Sequence, residues 1–184
     1  LYLHDLEDFH IARGDTLREP KFLDGAALEH FDVVIANPPF SLSNWGADAW
    51  ARDPWRRSVG GVPPAKNGDF AWIQHMVASM RPDTGRVGVV MPHGVMFRVG
   101  AEAKIRQHLI ESDLLEAVIG LPPNLFYSTT IPACLLIFRA TKPAGRKGRV
   151  LFVDGAARFA KGKHQNVMSD DDMTSIAAAY RTGE

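Results

Sequence analysis

Four consecutive residues, Asn37, Pro38, Pro39 and Phe40, combine groups that can hold a planar base. An asparagine side chain offers an acceptor and two donors, and a proline carbonyl is free to accept a second bond from the same amine. Phe40 offers a ring face for stacking, which is worth roughly 1–3 kcal/mol per base. The pattern therefore predicts a site for a nucleobase amine. The alternative is that the prolines merely end a strand and that Phe40 belongs to the core.

The four residues follow a short apolar run that predicts a β-strand. Residues 33–36 read Val-Val-Ile-Ala, which is typical of a strand buried on both faces of a parallel sheet. Pro38 and Pro39 end the strand because proline has no N–H for the ladder. Ligands of open parallel sheets bind just outside the carboxyl ends of the strands. We therefore expect Asn37 to lie at a binding edge.

These residues resemble the Asn-Pro-Pro-Phe signature of S-adenosylmethionine-dependent amino-methyltransferases that act on DNA adenine. The resemblance continues in residues 67–75 (NGDFAWIQH), 100–106 (GAEAKIR) and 120–127 (GLPPNLFY). Together the motifs resemble the modification subunit of type I restriction-modification systems. The match covers nearly the whole chain and is more specific than the four-residue signature.

The resemblance implies an α/β fold with a partial Rossmann-like class I S-adenosylmethionine-dependent methyltransferase sheet. Such a sheet is mostly parallel with an antiparallel strand near the edge. The sequence itself favours one antiparallel pair: only about ten residues separate apolar runs 114–120 and 132–139, too few for a helical crossover. Helices are predicted over 69–80, with Asp69 as a cap, over 101–112, and after Ser169 and Asp172, which form a capping box.

The cofactor half of such an enzyme is not recognisable in the sequence. Cofactor binding needs a glycine-rich turn after a first strand and an acidic residue after a second, and by resemblance both lie upstream of Leu1. We therefore expect residues 1–184 to be the C-terminal part of a single methyltransferase catalytic domain. The upstream cofactor-binding half is expected to be absent. This chain alone is expected to be inactive and to bind the cofactor weakly.

One candidate cofactor residue remains in the N-terminal segment. Residues 10–16 predict a weak strand that ends near Asp15. The resembling family has Gly-Asp-Thr-Leu here, with the aspartate near the cofactor adenine, and residues 14–17 match it in full. An Asx-turn in a surface loop is the alternative reading of Asp15.

The function implied by the resemblance is methyl transfer from S-adenosylmethionine to the exocyclic amine of a DNA adenine. Asn37 and the Pro38 carbonyl would accept the amine protons, and Phe40 would stack on the extruded base. Phe126 or Tyr127 would supply the second stacking face, although packing beneath their loop is an equal alternative. The implied partners are DNA and the specificity and restriction subunits of a type I system.

Two other functions stay open on the sequence. A methyltransferase acting on RNA guanine or on a protein glutamine can carry a similar Asn-Pro-Pro turn, but Phe40 and residues 120–132 argue against both. A non-catalytic docking or DNA-binding module of the complex is the alternative from another class.

A long connection, residues 41–66, is rich in tryptophan, arginine and glycine. Connections of this length inside a domain are usually functional or disordered. Basic side chains interleaved with aromatic ones suit a nucleic-acid strand. A lid or a partner-binding surface anchored by its tryptophans is an equally weighted alternative.

Composition limits the remaining classes. The 184 residues include 21 basic and 21 acidic side chains, so nucleic-acid binding must come from a local patch or a partner. The single cysteine, Cys134, is expected to be an inert core thiol, and it fits a reducing compartment. The histidines show no metal-ligand spacing, so no metal site is predicted. No apolar run approaches the roughly 20 residues of a membrane span, and a cytoplasmic location is expected.

Overall fold

The structure is a computed structural model that describes residues 7–127 and 129–183. Its elements are, in chain order, β1 (Leu23–Asp24), β2 (Ala27–Leu28), β3 (Val33–Ala36), α1 (Ala47–Trp50), α2 (Asp69–Ser79), β4 (Arg86–Pro92), α3 (Gly94–Phe97), α4 (Ala101–Glu111), β5 (Leu115–Gly120), β6 (Ala133–Arg139), a 3₁₀ turn (Ala144–Arg146), β7 (Leu151–Asp154), β8 (Ala160–Lys161), β9 (Asn166–Val167) and α5 (Asp170–Thr182).

A five-stranded sheet in the order β3-β4-β6-β5-β7 organises the chain. β3 pairs with β4 and β5 with β7 in parallel, whereas β6 runs antiparallel to both of its neighbours. Four strands therefore share one direction, and only β6 is reversed among them. The predicted antiparallel pairing of β5 with β6 is confirmed, and β6 is the third of the five strands.

One face of the sheet is packed against helices α2 and α4. Alternate residues of β4, including Val87 and Val89, point into this core together with Phe138 of β6. Ile73 of α2 and Ile105 of α4 are completely buried there, as the helical spacing of their apolar residues predicts. Helices near 69–80 and 101–112 are therefore confirmed, and so is the capping box of α5, in which Ser169 and Asp172 bond reciprocally.

The opposite face is covered only in part among the described residues. Ile176 of α5 lies against Gly155, just after β7. At the other end of the sheet, Val33 is 60% exposed and Ile35 is 78% exposed. The strand at 33–36 is confirmed, but its predicted burial on both faces is wrong for the described chain. β3 is an edge strand here, so the alternation of exposed and half-buried residues follows the pleat.

The N-terminal segment corrects a second expectation. Residues 10–16 form no strand in the described chain, because no described strand lies beside them to complete a ladder. From residue 7 onwards, the first regular structure is the short antiparallel pair of β1 and β2. No helix in the described ranges is long and apolar enough to cross a membrane.

The connection from β3 to α2 is tied down by its own aromatic residues. Trp45 and Trp50 are each 2% exposed and pack edge to face, with ring centroids 5.1 Å apart. The indole N–H of Trp45 donates to the Pro64 carbonyl, and that of Trp50 donates to Gln74 of α2. These contacts favour the anchored reading of the connection for its tryptophans. Its exposed Arg52 is not involved in this anchoring.

Candidate active site at the carboxyl end of the sheet

Asn37 follows β3 directly, at the edge where the four codirectional strands end. Its side chain is exposed and has no hydrogen-bond partner among the described residues, and the Pro38 carbonyl likewise accepts no bond from them. Asn37 stands at the rim of an open apolar depression of about 480 Å³, which Ile35, Val90 and Leu135 also line. Asn37 Oδ1 is therefore open to a ligand at the predicted binding edge, and beside it the carbonyl of the buried Pro38 is unpaired within the described residues.

The turn that carries these acceptors is fixed from α2. The backbone N–H of Ser41 donates to Asp69 Oδ1 at 2.7 Å, and Ser41 itself has a positive φ of 53°. Asp69 is completely buried at the first residue of α2. The neighbouring Gly68 N–H donates to the Leu42 carbonyl at 2.8 Å. The end of the Asn-Pro-Pro-Phe turn is thus held by the start of a packed helix, which restrains the conformation of a non-glycine residue in the left-handed region.

Asp69 therefore does not serve as the predicted cap of α2. The N-cap position is Gly68, which has no side chain for a cap bond, and the Asp69 carboxylate accepts from the Ser41 N–H and not from the first turn of α2. Its Oδ2 accepts a hydrogen bond from Arg98, which follows α3. The prediction was wrong because a turn 28 residues upstream supplies the donor, and sequence spacing along the helix does not reveal such a partner.

Arg98 links this carboxylate to a second one. Its Nε lies 3.0 Å from Glu102 Oε2, and Glu102 is 4% exposed. Burial raises the pKa of Glu102, and the Asp69 carboxylate acts in the same direction against the opposing effect of Arg98. Arg106 fixes the segment from the other side by donating to the Val95 and Arg98 carbonyls. Sequence reasoning did not single out Arg98 or Glu102, although Glu102 and Arg106 lie in the matched motif at 100–106.

Asp15 occupies an exposed turn whose backbone it holds together. Its Oδ1 accepts from the N–H groups of Leu17 and Arg18, at 3.1 and 3.0 Å. Its Oδ2 accepts from the Arg18 guanidinium at 3.3 Å. Arg18 also donates to the Asn44 carbonyl, which brings the Asp15 turn beside the segment that follows Phe40. These contacts are those of the Asx-turn that the sequence offered as the alternative. Asp15 Oδ2 can still accept a further hydrogen bond from the solvent side.

The candidate stacking residues differ in exposure. Phe40 and Phe126 are half-buried, whereas Tyr127 is 83% exposed. Phe126 and Tyr127 lie in the loop after β5, at the same edge of the sheet as Asn37. The hydrogen bond from the His93 N–H to the Pro132 carbonyl ties the far end of this loop to the end of β4. The structure therefore brings both loops to one edge of the sheet and leaves the Tyr127 ring open to solvent.

Two other titratable residues are packed and not exposed for chemistry. Burial, followed by the charge of Arg57, lowers the pKa of His75 to about 4, so the ring is neutral and its Nδ1 accepts from Arg57 at 3.2 Å. Burial raises the pKa of the Cys134 thiol to about 11, which fits the expected inert core cysteine. Residues 7–127 and 129–183 contain no cluster of histidine, cysteine and acidic side chains that could hold a metal ion.

The whole chain is similar to known DNA methylases. The family model described as N-6 DNA Methylase matches residues 1–184. The type I restriction enzyme MjaVII methylase subunit of Methanocaldococcus jannaschii is 36% identical over 195 residues, which cover 100% of this chain and 33% of that protein. The chain therefore spans about a third of the length of that relative.

Solved structures agree with the sequence relatives. The methyltransferase subunit of a type I restriction-modification system from Streptococcus thermophilus is 36% identical, with a TM-score of 0.78 over 92% of this chain and 35% of that chain. The M protein of the type I restriction enzyme EcoKI has a TM-score of 0.62 at 23% identity, over 83% of this chain and 31% of that chain, and supports the fold alone. The predicted α/β class I methyltransferase fold is thereby confirmed.

Proposed function

Since this chain belongs to the N-6 DNA methylase family, we propose that it serves in a type I restriction-modification complex as part of a DNA adenine methyltransferase. The observation that carries the proposal is the pair of unoccupied acceptors, Asn37 Oδ1 and the Pro38 carbonyl, on a turn fixed at the carboxyl edge of the sheet. An exocyclic amine has two protons and therefore matches two adjacent acceptors.

The proposed chemistry depends on how these acceptors change the amine. An adenine amine is a poor nucleophile because its lone pair is delocalised into the ring. Hydrogen bonds from its two protons to Asn37 and Pro38 would favour a tetrahedral nitrogen with a localised lone pair. The nitrogen would then form its bond to the methyl carbon as the methyl–sulfur bond breaks, and one amine proton would leave to solvent. Positioning and electrostatic stabilisation supply the rate.

S-adenosylmethionine, when bound, would supply the methyl group on its sulfonium sulfur. Among the described residues, Asp15 fits this cofactor best, because its exposed Oδ2 has unused capacity to accept from an adenine amine. The contacts of Asp15 with Leu17 and Arg18 would keep that oxygen oriented.

The target base must leave the duplex before an amine can reach Asn37. Phe40, directly after the prolines, is proposed to stack on one face of the extruded base. Tyr127 is the better candidate of the second pair because its ring is exposed, whereas Phe126 is half-buried beneath the loop. The balanced charge of the chain agrees with DNA binding shared with a specificity subunit, and a restriction subunit would complete the complex.

The test is Asn37→Ala in the assembled modification enzyme. The substitution removes an acceptor that is used most when the amine nitrogen becomes tetrahedral, so the loss should fall on kcat more than on DNA affinity. Loss of one preorganised polar contact of this kind typically lowers the rate by about 10²–10³. Methyl transfer to a duplex substrate gives kcat, and fluorescence of 2-aminopurine at the target position reports base extrusion.

Two variants complete the experiment. Gln107→Ala removes an exposed amide on α4 and should leave turnover unchanged. Phe40→Ala should instead weaken extrusion by roughly 1–3 kcal/mol, because it removes a stacking face. Asn37→Ala with near-normal extrusion and collapsed turnover would support the proposed function. Normal methylation by Asn37→Ala would refute it and leave the turn a structural feature.

A further inference from the structure

Strands β8 and β9 form a tight hairpin with a basic tip. Lys161 pairs with Asn166, and the Gly162 N–H donates to the Gln165 carbonyl at 3.0 Å, which leaves Lys163 and His164 as the tip. A Cβ at Gly162 would lie 2.3 Å from that carbonyl oxygen, so only glycine fits this turn. The geometry therefore fixes where the two lysines leave the backbone.

The hairpin is clamped to the loop that carries Phe126 and Tyr127. The Asn166 N–H donates to the Asn124 carbonyl at 2.8 Å, and Asn166 Nδ2 donates to the Pro123 carbonyl at 2.7 Å. Asn124 has a positive φ of 50°, which these contacts help to maintain. The basic tip is thus held at the carboxyl edge of the sheet, beside the loop proposed to contact the extruded base.

The segment between Asp154 and the acidic start of α5 is basic. Residues 155–169 contain Arg158, Lys161 and Lys163 but no acidic residue, in a chain whose net charge is zero. Lys161, Lys163 and His164 are exposed, and in the described part of the chain neither lysine has an ion-pair or hydrogen-bond partner. The hydrogen-bonded backbone of the turn keeps the two lysines close together, and their unpaired ammonium groups are free to contact an anionic ligand.

The position of the tip relative to Asn37 suggests the ligand. Three strand spacings separate β3 from β5 in the sheet order, or roughly 14 Å at about 4.8 Å each. That distance corresponds to roughly four base steps of a nucleic-acid strand at about 3.4 Å each. A strand that followed this edge of the sheet from Asn37 would pass its flanking phosphates near the loop after β5, to which the hairpin is hydrogen-bonded.

We propose that Lys161 and Lys163 bind backbone phosphates of the target DNA, a few nucleotides from the base held at Asn37. This inference rests on the proposed function for the identity of the nucleic acid. The contacts are to phosphates, so they position the strand and carry no sequence information. The clamp by Asn166 couples the phosphate contact to the loop of Tyr127, so that binding the strand and ordering the stacking loop occur together.

The test compares the salt dependence of DNA binding for the assembled modification enzyme and its Lys161→Gln/Lys163→Gln variant. The probe is a fluorescent duplex with the target site, titrated by anisotropy at several salt concentrations. Each lost phosphate contact should reduce the slope of log K against log[salt] by about 0.9, or about 1.8 for both lysines.

The matched control is Lys147→Gln/Arg149→Gln, which removes the same charge from the exposed connection between β6 and β7, at the opposite edge of the sheet. This control should keep the wild-type slope. An unchanged slope for the lysine variant would overturn the inference, and so would an equal decrease in the control. Because the slope is measured without turnover, failure of adenine methylation by the wild-type enzyme would refute the proposed function independently of this result.

Discussion

Arg57 holds the long connection onto the domain through an unusually complete set of contacts. Its side chain is 1% exposed and pairs with Asp53, whose side chain is 2% exposed, at 2.7 Å. The guanidinium carbon lies 4.0 Å from the Trp50 ring centroid and 4.8 Å from that of Trp55. Further N–H groups donate to the Thr16 and Leu17 carbonyls, at 3.1 and 2.8 Å. We predict that Arg57→Met is among the most destabilising single substitutions in this connection.

The loss of stability is set mainly by the Asp53 carboxylate, which Arg57→Met leaves buried without its ion-pair partner. Without the guanidinium, the Asp53 carboxylate stays buried and keeps only the backbone N–H of residue 57, at 2.7 Å. Removing one partner of a buried ion pair typically costs 3–5 kcal/mol, because the remaining charge is uncompensated. Loss of the cation–π contacts with two indoles adds roughly 0.5–2 kcal/mol. Arg57→Met should therefore lower the free energy of unfolding by about 5 kcal/mol.

The assay is urea unfolding followed by far-UV circular dichroism, since tryptophan fluorescence would respond to Trp50 and Trp55 directly. The decisive comparison is the double variant Asp53→Leu/Arg57→Met, which removes both charges. It should be more stable than Arg57→Met alone, because an apolar pair avoids the desolvation of an unpaired carboxylate. An Arg57→Met cost below about 1 kcal/mol, or a double variant that is less stable still, would refute the assigned role of this pair.

Three further predictions concern other buried polar groups. Burial and a neighbouring guanidinium lower the pKa of His75 to about 4, so between about pH 6.5 and pH 4 the unfolded chain binds a proton that the folded chain does not. The free energy of unfolding should therefore fall by up to about 3 kcal/mol on acidification through that range. His75→Gln should flatten the pH dependence of the urea midpoint. Tyr180→Phe removes the O–H that donates to the buried Glu116 carboxylate at 2.7 Å, and urea unfolding should show a loss of about 1.5–3 kcal/mol. In the assembled modification enzyme, Asp69→Ala should lower kcat for methyl transfer by about 10²-fold with little change in the DNA KM, because it frees the Ser41 N–H and lets the Asn-Pro-Pro-Phe turn shift. An unchanged kcat would exclude this positioning role.

Much of the fold could be predicted because its signals are local. The apolar run at 33–36, the helical stripe of α2 and the Ser169 capping box each lie within one element, and each was confirmed. The antiparallel pairing of β5 with β6 followed from the short connection alone. The position of Asn37 after a strand followed in the same way, because Pro38 and Pro39 end the ladder wherever it lies in the sheet.

The contacts that hold the site could not be predicted because they join distant segments. Asp69 looked like a helix cap, but its carboxylate bonds to Ser41 and Arg98, which lie 28 and 29 residues away. Arg57 looked like a candidate nucleic-acid contact by composition, but it is buried against His75 and the indoles. A basic side chain can bind nucleic acid or form an ion pair within the protein. Only the tertiary arrangement decides which charged groups remain available for a ligand.

That arrangement explains why Asn37 and Pro38 present free acceptors. Pro38 and Pro39 have no N–H that could bond back to the turn, and the Ser41 N–H is taken by Asp69. The second oxygen of Asp69 is taken by Arg98, so the buried carboxylate does not compete for donors that approach Asn37. A ligand amine therefore meets two acceptors without displacing an internal bond. A preorganised acceptor pair is more effective than a flexible one, because its orientation needs no change when the ligand binds.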